Sequence, residues 1–541
     1  MTSWSRVSCS SARRAPLRPI SRAMTLKLDL PRGCERMCAM SCSGSTYRSL
    51  EHTTHLRAWP GGRFGYDWRV PKLGDSTRRQ FLAALAGAAA AGAATGGVPR
   101  NVLFIASDDL NQSLGCYGHP LVKSPNIDRL AAGGVRFERA YCQFPFCGPS
   151  RASLLTGLRP DTVGVTTNER VEFREHRPDT VTLPQMFRKN GRRSLRAGKI
   201  FHMGVPGGVG TPAHQDPPSW DVSISPPGLE DKSVGEGGDP NPELRNGLRM
   251  QWVKTADDSG QADTAAADQA VAWLEESRDQ PFFLGLGLVR PHVPFVAPAE
   301  FYDLYRLDDI EPVRNPPDDL DDIPAAAKDL RSFLWNNMGM SETDQRLALR
   351  GYYASVSYMD QQVGRALDAL QRLGLADSTV VVFFGDHGWH LGEHTHWQKM
   401  SLMEESVRAP LIIRAPGARG NGRSTRALTE FVDIFPMLAD LCGLQAPAEL
   451  EGASLRPVLD DPGASVKDAA FSQVEYEDRI YGRTVRTDRY RYIEWRGDGA
   501  GEELYDHQAD PREFHNLAGD SAHAGALKEL RELLAPQWER A

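Results

Sequence analysis

The chain has 541 residues, 40% of them hydrophobic and 25% charged, with a formal net charge of −7. This length exceeds one ordinary hydrophobic core, and the balance excludes a disordered chain and a membrane bundle. An acidic body also argues against nucleic-acid binding.

Residues 1–75 are rich in Arg and Ser, with little periodicity, and hold Cys9, Cys34, Cys38 and Cys42. The last three lack His or Cys partners at zinc-site spacing and read as incidental. Next comes Ser76-Thr77-Arg78-Arg79-Gln80-Phe81-Leu82, followed by the Ala-rich stretch Ala83 to Ala94. This resembles a twin-arginine export signal over residues 76–96, implying the twin-arginine translocase as a partner and a periplasmic or secreted product. A short Ala-rich helix within the fold is the alternative. Since a signal stands at the start of a chain, residues 1–75 are expected to be a non-functional or mis-assigned leader. The true start is then Met24 or an unmarked codon near Ser76; an unprocessed basic tail is the other possibility. Residues 1–80 carry fifteen basic and five acidic residues, so the remainder carries about −17. An anionic ligand must therefore be received by a local basic pocket, against the global field. No other apolar run approaches the roughly 20 residues of a membrane span.

Asn101–Ala106 is a continuous apolar run ending at Ser107-Asp108-Asp109, as expected of a buried parallel strand that delivers acids at its carboxyl end. The run Phe146-Cys147-Gly148-Pro149-Ser150-Arg151, continued by Ala152-Ser153-Leu154-Leu155-Thr156-Gly157, is the most specific signal. Cys-x-Pro-Ser-Arg alone occurs by chance in a chain of this length with a probability on the order of one in a thousand. A buried structural Cys ahead of a helix-starting Pro-Ser-Arg is the bland reading. Gly191 to His202 follows, with Lys199 and His202 placed after Gly198. Residues 205–260 and 308–345, rich in Pro, Gly and Asp, read as long loops. Between them, Phe282–Leu288 is a second apolar strand, leading into Arg290-Pro291-His292-Val293-Pro294-Phe295.

Tyr352, Val356, Met359, Val363, Leu367 and Leu370 mark one face of a helix from Tyr352 to Leu373. The strand Thr379–Phe384 ends in Gly385-Asp386-His387-Gly388, and Trp397-Gln398-Lys399 lies beyond it. His390, His394 and His396 could suggest zinc but read as solvated loop residues. Of the body cysteines Cys116, Cys142, Cys147 and Cys442, one disulfide is conceivable and no framework is implied. After about residue 465 the pattern shifts to short strands, Gly482–Arg486 and Tyr490–Trp495 about a Thr487-Asp488 turn, and a final helix over Leu527–Leu534. Strands alternating with helices predict an α/β layered fold with its site at the strand carboxyl ends, a main domain over 99–464 and a smaller antiparallel-sheet subdomain over 465–541.

The Cys147 run resembles the signature of type I sulfatases, and Gly191–His202 their second signature, with Arg192 and Phe146 atypical at flanking positions. Leu504-Tyr505-Asp506, Asp510-Pro511 and Asn516-Leu517 resemble their closing segment. The resemblance spans about Asn101 to Leu517. It is nearest to iduronate-2-sulfatase-like members through Leu114–Gly118, Ser124–Asp128, Arg159–Thr162 and Asp386–Trp389. It implies an alkaline phosphatase-like layered fold with a large, mostly parallel mixed sheet over a catalytic domain of residues 99–464. It also implies hydrolysis of a sulfate ester on a sugar or polysaccharide, and a formylglycine-generating enzyme that converts Cys147. The geminal hydroxyls of the hydrated aldehyde allow one to attack sulfur and the other to expel sulfate.

On this resemblance Asp108, Asp109, Cys147, Asp386 and His387 hold one Ca2+. His387 replaces the usual Asn, either to orient a neighbour or to mark a different metal preference. Lys199 faces the sulfate, His202 and Arg151 hold the formylglycine hydroxyls, and Asp386 accepts the proton of the attacking one. His292 is the acid for the leaving alkoxide, with Lys399 as an electrostatic clamp. Two rivals are a formylglycine-dependent phosphonate or phosphodiester hydrolase and a non-catalytic carbohydrate-binding pseudoenzyme with Cys147 unmodified.

Overall fold

The computed structural model describes residues 98–169, 172–212, 215–228, 251–330 and 335–539. The leader, its cysteines, the twin-arginine segment and the middle of the first long loop lie outside the described residues.

A large sheet organises the fold. Its eight strands are β1 (Asn101–Asp108), β2 (Val135–Phe137), β3 (Arg193–Gly198), β4 (Val222–Ile224), β5 (Phe282–Pro291), β6 (Thr379–Gly385), β7 (Leu411–Arg414) and β8 (Arg423–Thr425). They lie in the order β8-β2-β7-β6-β1-β5-β3-β4. β1 pairs in parallel with both β5 and β6, and β3 in parallel with β5 and β4, while β7 runs antiparallel to β6 and β2. The sheet is thus mixed and mostly parallel, as expected.

Continuous apolar runs arise because both faces of this sheet are covered. Val102, Phe104 and Ala106 point into one core, shared with Leu154 and Leu155 of α2 (Cys147–Thr156), Phe187 of α3 (Leu183–Lys189) and Leu438 of α6 (Ile434–Leu441). Leu103 and Ile105 point into the other, against Leu130 of α1 (Pro125–Ala132), Ala266 and Ala270 of α4 (Ala262–Glu276) and Val356 and Met359 of α5 (Glu342–Arg372). α5 starts ten residues before the expected Tyr352. Ser341 closes a capping box with Asp344 and begins the helix inside what reads as loop.

At the C-terminal end, β9 (Ala470–Tyr476), β10 (Ile480–Arg486), β11 (Tyr490–Gly497) and β12 (Gly501–Asp506) form an antiparallel meander. It is covered by Leu527, Leu530 and Leu534 of α7 (Ala524–Trp538) on Val485, Tyr492 and Leu504. Among the described residues no helix is long and apolar enough to cross a membrane, and Cys116, Cys142, Cys147 and Cys442 are free thiols.

Candidate active site

Four parallel strands end side by side, so their carboxyl ends bring distant residues together. β1 delivers Asp108 and then Asp109, whose left-handed backbone (φ 61°) sharply redirects the chain. Asp386 follows β6; its backbone N–H donates to Ser107 O (3.1 Å), and Asp109 N–H donates to Asp386 Oδ1 (3.0 Å). β3 ends at Gly198, where a Cβ would lie 1.9 Å from Gly287 O, so only glycine lets the two strand ends approach and set Lys199 over Asp108.

Cys147 opens α2 and is 1% exposed. Its Sγ lies 3.0 Å from Lys399 Nζ, 3.3 Å from His387 Nε2 and 3.8 Å from Asp109 Oδ1. Gly148 N–H donates to Asn168 Oδ1 (2.7 Å), and Ser150 Oγ donates to Asp386 O. Arg151 cross-braces the acids: Nε donates to Asp386 Oδ2 (2.8 Å), Nη2 to Asp108 Oδ1 (3.2 Å) and Nη1 to Lys199 O (2.6 Å). Lys199 Nζ donates to Asp108 Oδ2 (2.6 Å) and Lys399 Nζ to Asp109 Oδ1 (2.5 Å). His292 Nε2 stands 3.5 Å from Asp109 Oδ2 while Nδ1 meets Val293 O at 2.5 Å.

The three carboxylates balance the three fixed cations Arg151, Lys199 and Lys399. Burial would raise Asp108, but the cations Lys199, Arg151 and Lys399 hold it well below the usual carboxylate range. Burial lifts Asp109 to about 6, against the pull of Lys399. Burial also lowers His292 to about 3 and His202 to about 2, with the charge on Lys199 adding to both shifts. It pushes the Cys147 thiol well above its ordinary value.

His387 donates through Nδ1 to Gly388 O (2.8 Å), which leaves Nε2 as a lone pair facing Asp109 Oδ1 (3.3 Å) and Cys147. Carboxylate oxygens of Asp108, Asp109 and Asp386 lie within 4.8 Å of one another, and so do ligand atoms of Asp109, Cys147 and His387. Asp109 Oδ2 is buried with no hydrogen-bond partner among the described residues. Oxygen-rich donors, an orphaned carboxylate oxygen and an imidazole lone pair fit a divalent cation.

The structure thus gathers Asp108, Asp109, Cys147, Arg151, Lys199, His292, Asp386, His387 and Lys399. His202 is buried beside this group with Nδ1 unpartnered among the described residues, and no bond joins it to Cys147. Arg151 is occupied by the acids and backbone carbonyls, so its observed work is bracing them. Of the atypical residues, Phe146 packs its ring 5.7 Å from Lys399 Nζ, and Arg192 lies over Phe187 while donating to Cys442 O.

One expectation is overturned. His390, His394 and His396 are 0%, 1% and 1% exposed instead of solvated. The hairpin His390–Leu391 with Trp397–Gln398 tucks them inward, where Asp319 meets His394 Nδ1 (3.0 Å) and Trp335 covers His396. Their ring nitrogens do not form one ligand set among the described residues. Sequence reading also missed Trp389, 5.3 Å beneath Lys399 Nζ, and Tyr352, whose hydroxyl donates to Asp109 O (3.0 Å). The helical stripe at Tyr352 looked like core alone, and it is both.

A layered sheet with acids and cations at its strand ends defines a hydrolase of the alkaline phosphatase-like class. The Sulfatase family model matches residues 100–444, and the model for the N-sulphoglucosamine sulphohydrolase C-terminal region matches residues 392–539. The chain belongs to the sulfatase family and is a sulfuric ester hydrolase. Iduronate 2-sulfatase from Mus musculus is 34% identical over 544 residues, 83% of this chain and 96% of that protein. A solved structure in complex with its substrate D-glucosamine-2-N,6-O-disulfate is 25% identical, with a TM-score of 0.63 over 82% of this chain and 98% of that one. A phosphonate monoester hydrolase from Silicibacter pomeroyi is 28% identical, with a TM-score of 0.67 over 82% and 96%.

Proposed function

We propose that this enzyme hydrolyses a sulfate ester of a sugar after Cys147 has been converted to formylglycine. The observation that carries the reading is Cys147 Sγ at a helix start, 3.0 Å from Lys399 Nζ and 3.3 Å from His387 Nε2, at the meeting point of three carboxylates and three cations. Asp108, Asp109, Asp386 and His387 would hold a divalent cation such as Ca2+, which when bound supplies positive charge to the ester oxygens. The formylglycine hydrate supplies a nucleophilic hydroxyl and a second one for release.

The chain's own groups account for the rest. With the acids neutralised by their cation, Lys199 and Lys399 are left as charge for the sulfate oxygens. With His387 Nε2 committed to the cation, Asp109 Oδ1 is the nearest remaining acceptor to position 147, so it precedes Asp386 as the candidate for the nucleophile's proton. Burial would lower the pKa of Lys399, but the negative groups around it, Asp109 foremost, together outweigh that and keep it charged. It therefore clamps the leaving oxygen electrostatically, while His292, whose Nδ1 donates to Val293 O, presents Nε2 as a lone pair and serves as the acid only after taking up a proton there. The alkoxide of a sugar is a poor leaving group and needs both.

The iduronate 2-sulfatase likeness favours a uronate ring. A cavity of about 390 Å3 abuts Phe146 and Met400, however, and its described lining includes Glu169, Glu475, Glu477 and Asp478. Those carboxylates give a uronate no counter-charge there, so uronate and hexosamine sulfates assayed side by side decide the ring class. A second reading, phosphonate monoester hydrolysis, has the Silicibacter pomeroyi likeness in its favour; turnover of paired aryl sulfate and phosphonate ester substrates separates the two.

Mass analysis of the exported protein tests the core of the proposal. The peptide spanning Cys147 should be about 18 Da lighter than its thiol form. An intact thiol in protein that turns over sulfate esters refutes the nucleophile, and an intact thiol without turnover supports the carbohydrate-binding pseudoenzyme. We propose the same exported, periplasmic or secreted setting for residues 99–464 and 465–541 as catalytic domain and C-terminal subdomain, with 76–96 as signal.

A further inference from the structure

Lys399 reaches Asp109 and Cys147 from a backbone that is itself unusual. Gln398 and Met400, on either side of it, both hold left-handed conformations (φ 76° and 78°), which are uncommon for residues with a Cβ and cost free energy unless the surroundings enforce them. Two buried histidines supply that enforcement. His396 Nε2 faces the carbonyl oxygen of Lys399 itself at 3.3 Å, and since a carbonyl only accepts, Nε2 carries the hydrogen. Its ring is fixed by Trp335 on one side (centroids 4.4 Å) and by the edge of His390 on another (4.7 Å). His390 pairs with Gln398 across the hairpin and meets Ser401 Oγ at 2.8 Å, anchoring the far side of the same turn.

We propose that His396 is a positioning residue for Lys399: its ring, locked against Trp335, holds the Lys399 carbonyl so that the ammonium is delivered to the pocket at position 147. The inference rests on the role given to Lys399 above. His396 touches no reacting atom, so its whole effect on rate should pass through that lysine. A structural role would instead weaken the enzyme whether or not the lysine is present.

A double-mutant cycle on the converted, exported enzyme tests this, with an aryl sulfate as substrate and Cys147 conversion checked by mass in each variant. His396→Phe keeps the ring and removes the donor; it should lower kcat five- to tenfold with KM changed less than twofold. In the Lys399→Ala background the same change should cost less than a further twofold. His396→Gln, whose Nε2 amide can reach the same carbonyl, should recover kcat to within twofold of the parent. His396→Leu replaces Phe if that variant does not fold. An equal loss in both backgrounds, or a His396→Phe enzyme within twofold of the parent, overturns the proposal. A Lys399→Ala enzyme with the parent's rate overturns the role of Lys399, and the positioning role with it.

Discussion

Lys199 and Lys399 carry the same charge and hold different partners, which separates what their loss should do. Among the described residues Lys199 Nζ meets Asp108, deep in the strand ends, whereas Lys399 bridges Asp109 and Cys147. Replacing either by Ala should lower turnover at least 10²-fold, the scale seen when a preorganised charge is removed from the site of developing negative charge. Steady-state rates on an aryl sulfate check this, and a near-normal rate in either variant removes that lysine from the mechanism. His387 gives a second test. His387→Ala removes the lone pair between Asp109 and Cys147 and should weaken bound divalent metal 10- to 100-fold, whereas His387→Asn, which restores an amide oxygen, should retain most of it. Metal content after dialysis against graded chelator measures the difference; equal retention by the Ala variant would mean His387 only orients its neighbours. At this scale the site was legible because its side chains stand within a few residues of strand ends or within the Cys147 run. Left-handed Asp109, Arg151's bracing of the acids and the buried histidines were not, since each depends on a chain segment far away in sequence.

The element that ties the C-terminal meander to the catalytic loop is a buried ion network. Arg491 of β11 donates to Glu404, five residues beyond Lys399, and to Glu513 after β12, while Glu513 also accepts from Glu404 N–H (2.8 Å) and meets His507 Nε2 (2.7 Å). Arg491 and Glu513 side chains are 1% and 0% exposed. Arg491→Met would take from two buried carboxylates the cation they share, leaving Glu404 to Arg408 and Arg486, and Glu513 to His507, and should destabilise the protein by about 3 kcal/mol; a urea midpoint that barely moves would mean the docking is apolar. Glu503 of β12 adds a pH signature. Burial raises its pKa from 4.5 to about 7, although Tyr505 and Trp495 donate to it and pull the other way. The folded state therefore holds this proton more tightly than the unfolded chain, so stability from this group falls as pH rises from about 4.5 to about 7 and then levels. Glu503→Gln should flatten that descent by about 3 kcal/mol, because each tenfold difference in proton affinity between the folded and unfolded chain is worth about 1.4 kcal/mol. Denaturant midpoints at pH 5 and pH 8 read the change, and an unchanged descent would place the pH sensitivity elsewhere. Legibility at this scale followed length. β1, β5 and β6 announced themselves as apolar runs buried on both faces, whereas β2, β7 and β8 are three or four residues long and show no period to read.

Charge is where the whole molecule acts on the site. The chain beyond residue 80 carries about −17, so a sulfated oligosaccharide approaches against a repulsive field before it meets the cations at the strand ends. The Debye length falls from roughly 30 Å at 0.01 M salt to about 8 Å at 0.15 M, which screens the distant body far more than the buried lysines. Raising NaCl from about 10 to about 150 mM should therefore increase kcat/KM for a multiply sulfated oligosaccharide about threefold or more, while a singly charged aryl sulfate changes less than twofold. Chloride is the salt of choice because added sulfate would compete for the pocket itself. If the oligosaccharide instead loses efficiency with salt, surface cations around the entrance must outweigh the acidic body, and recognition extends well beyond the sulfate being cleaved.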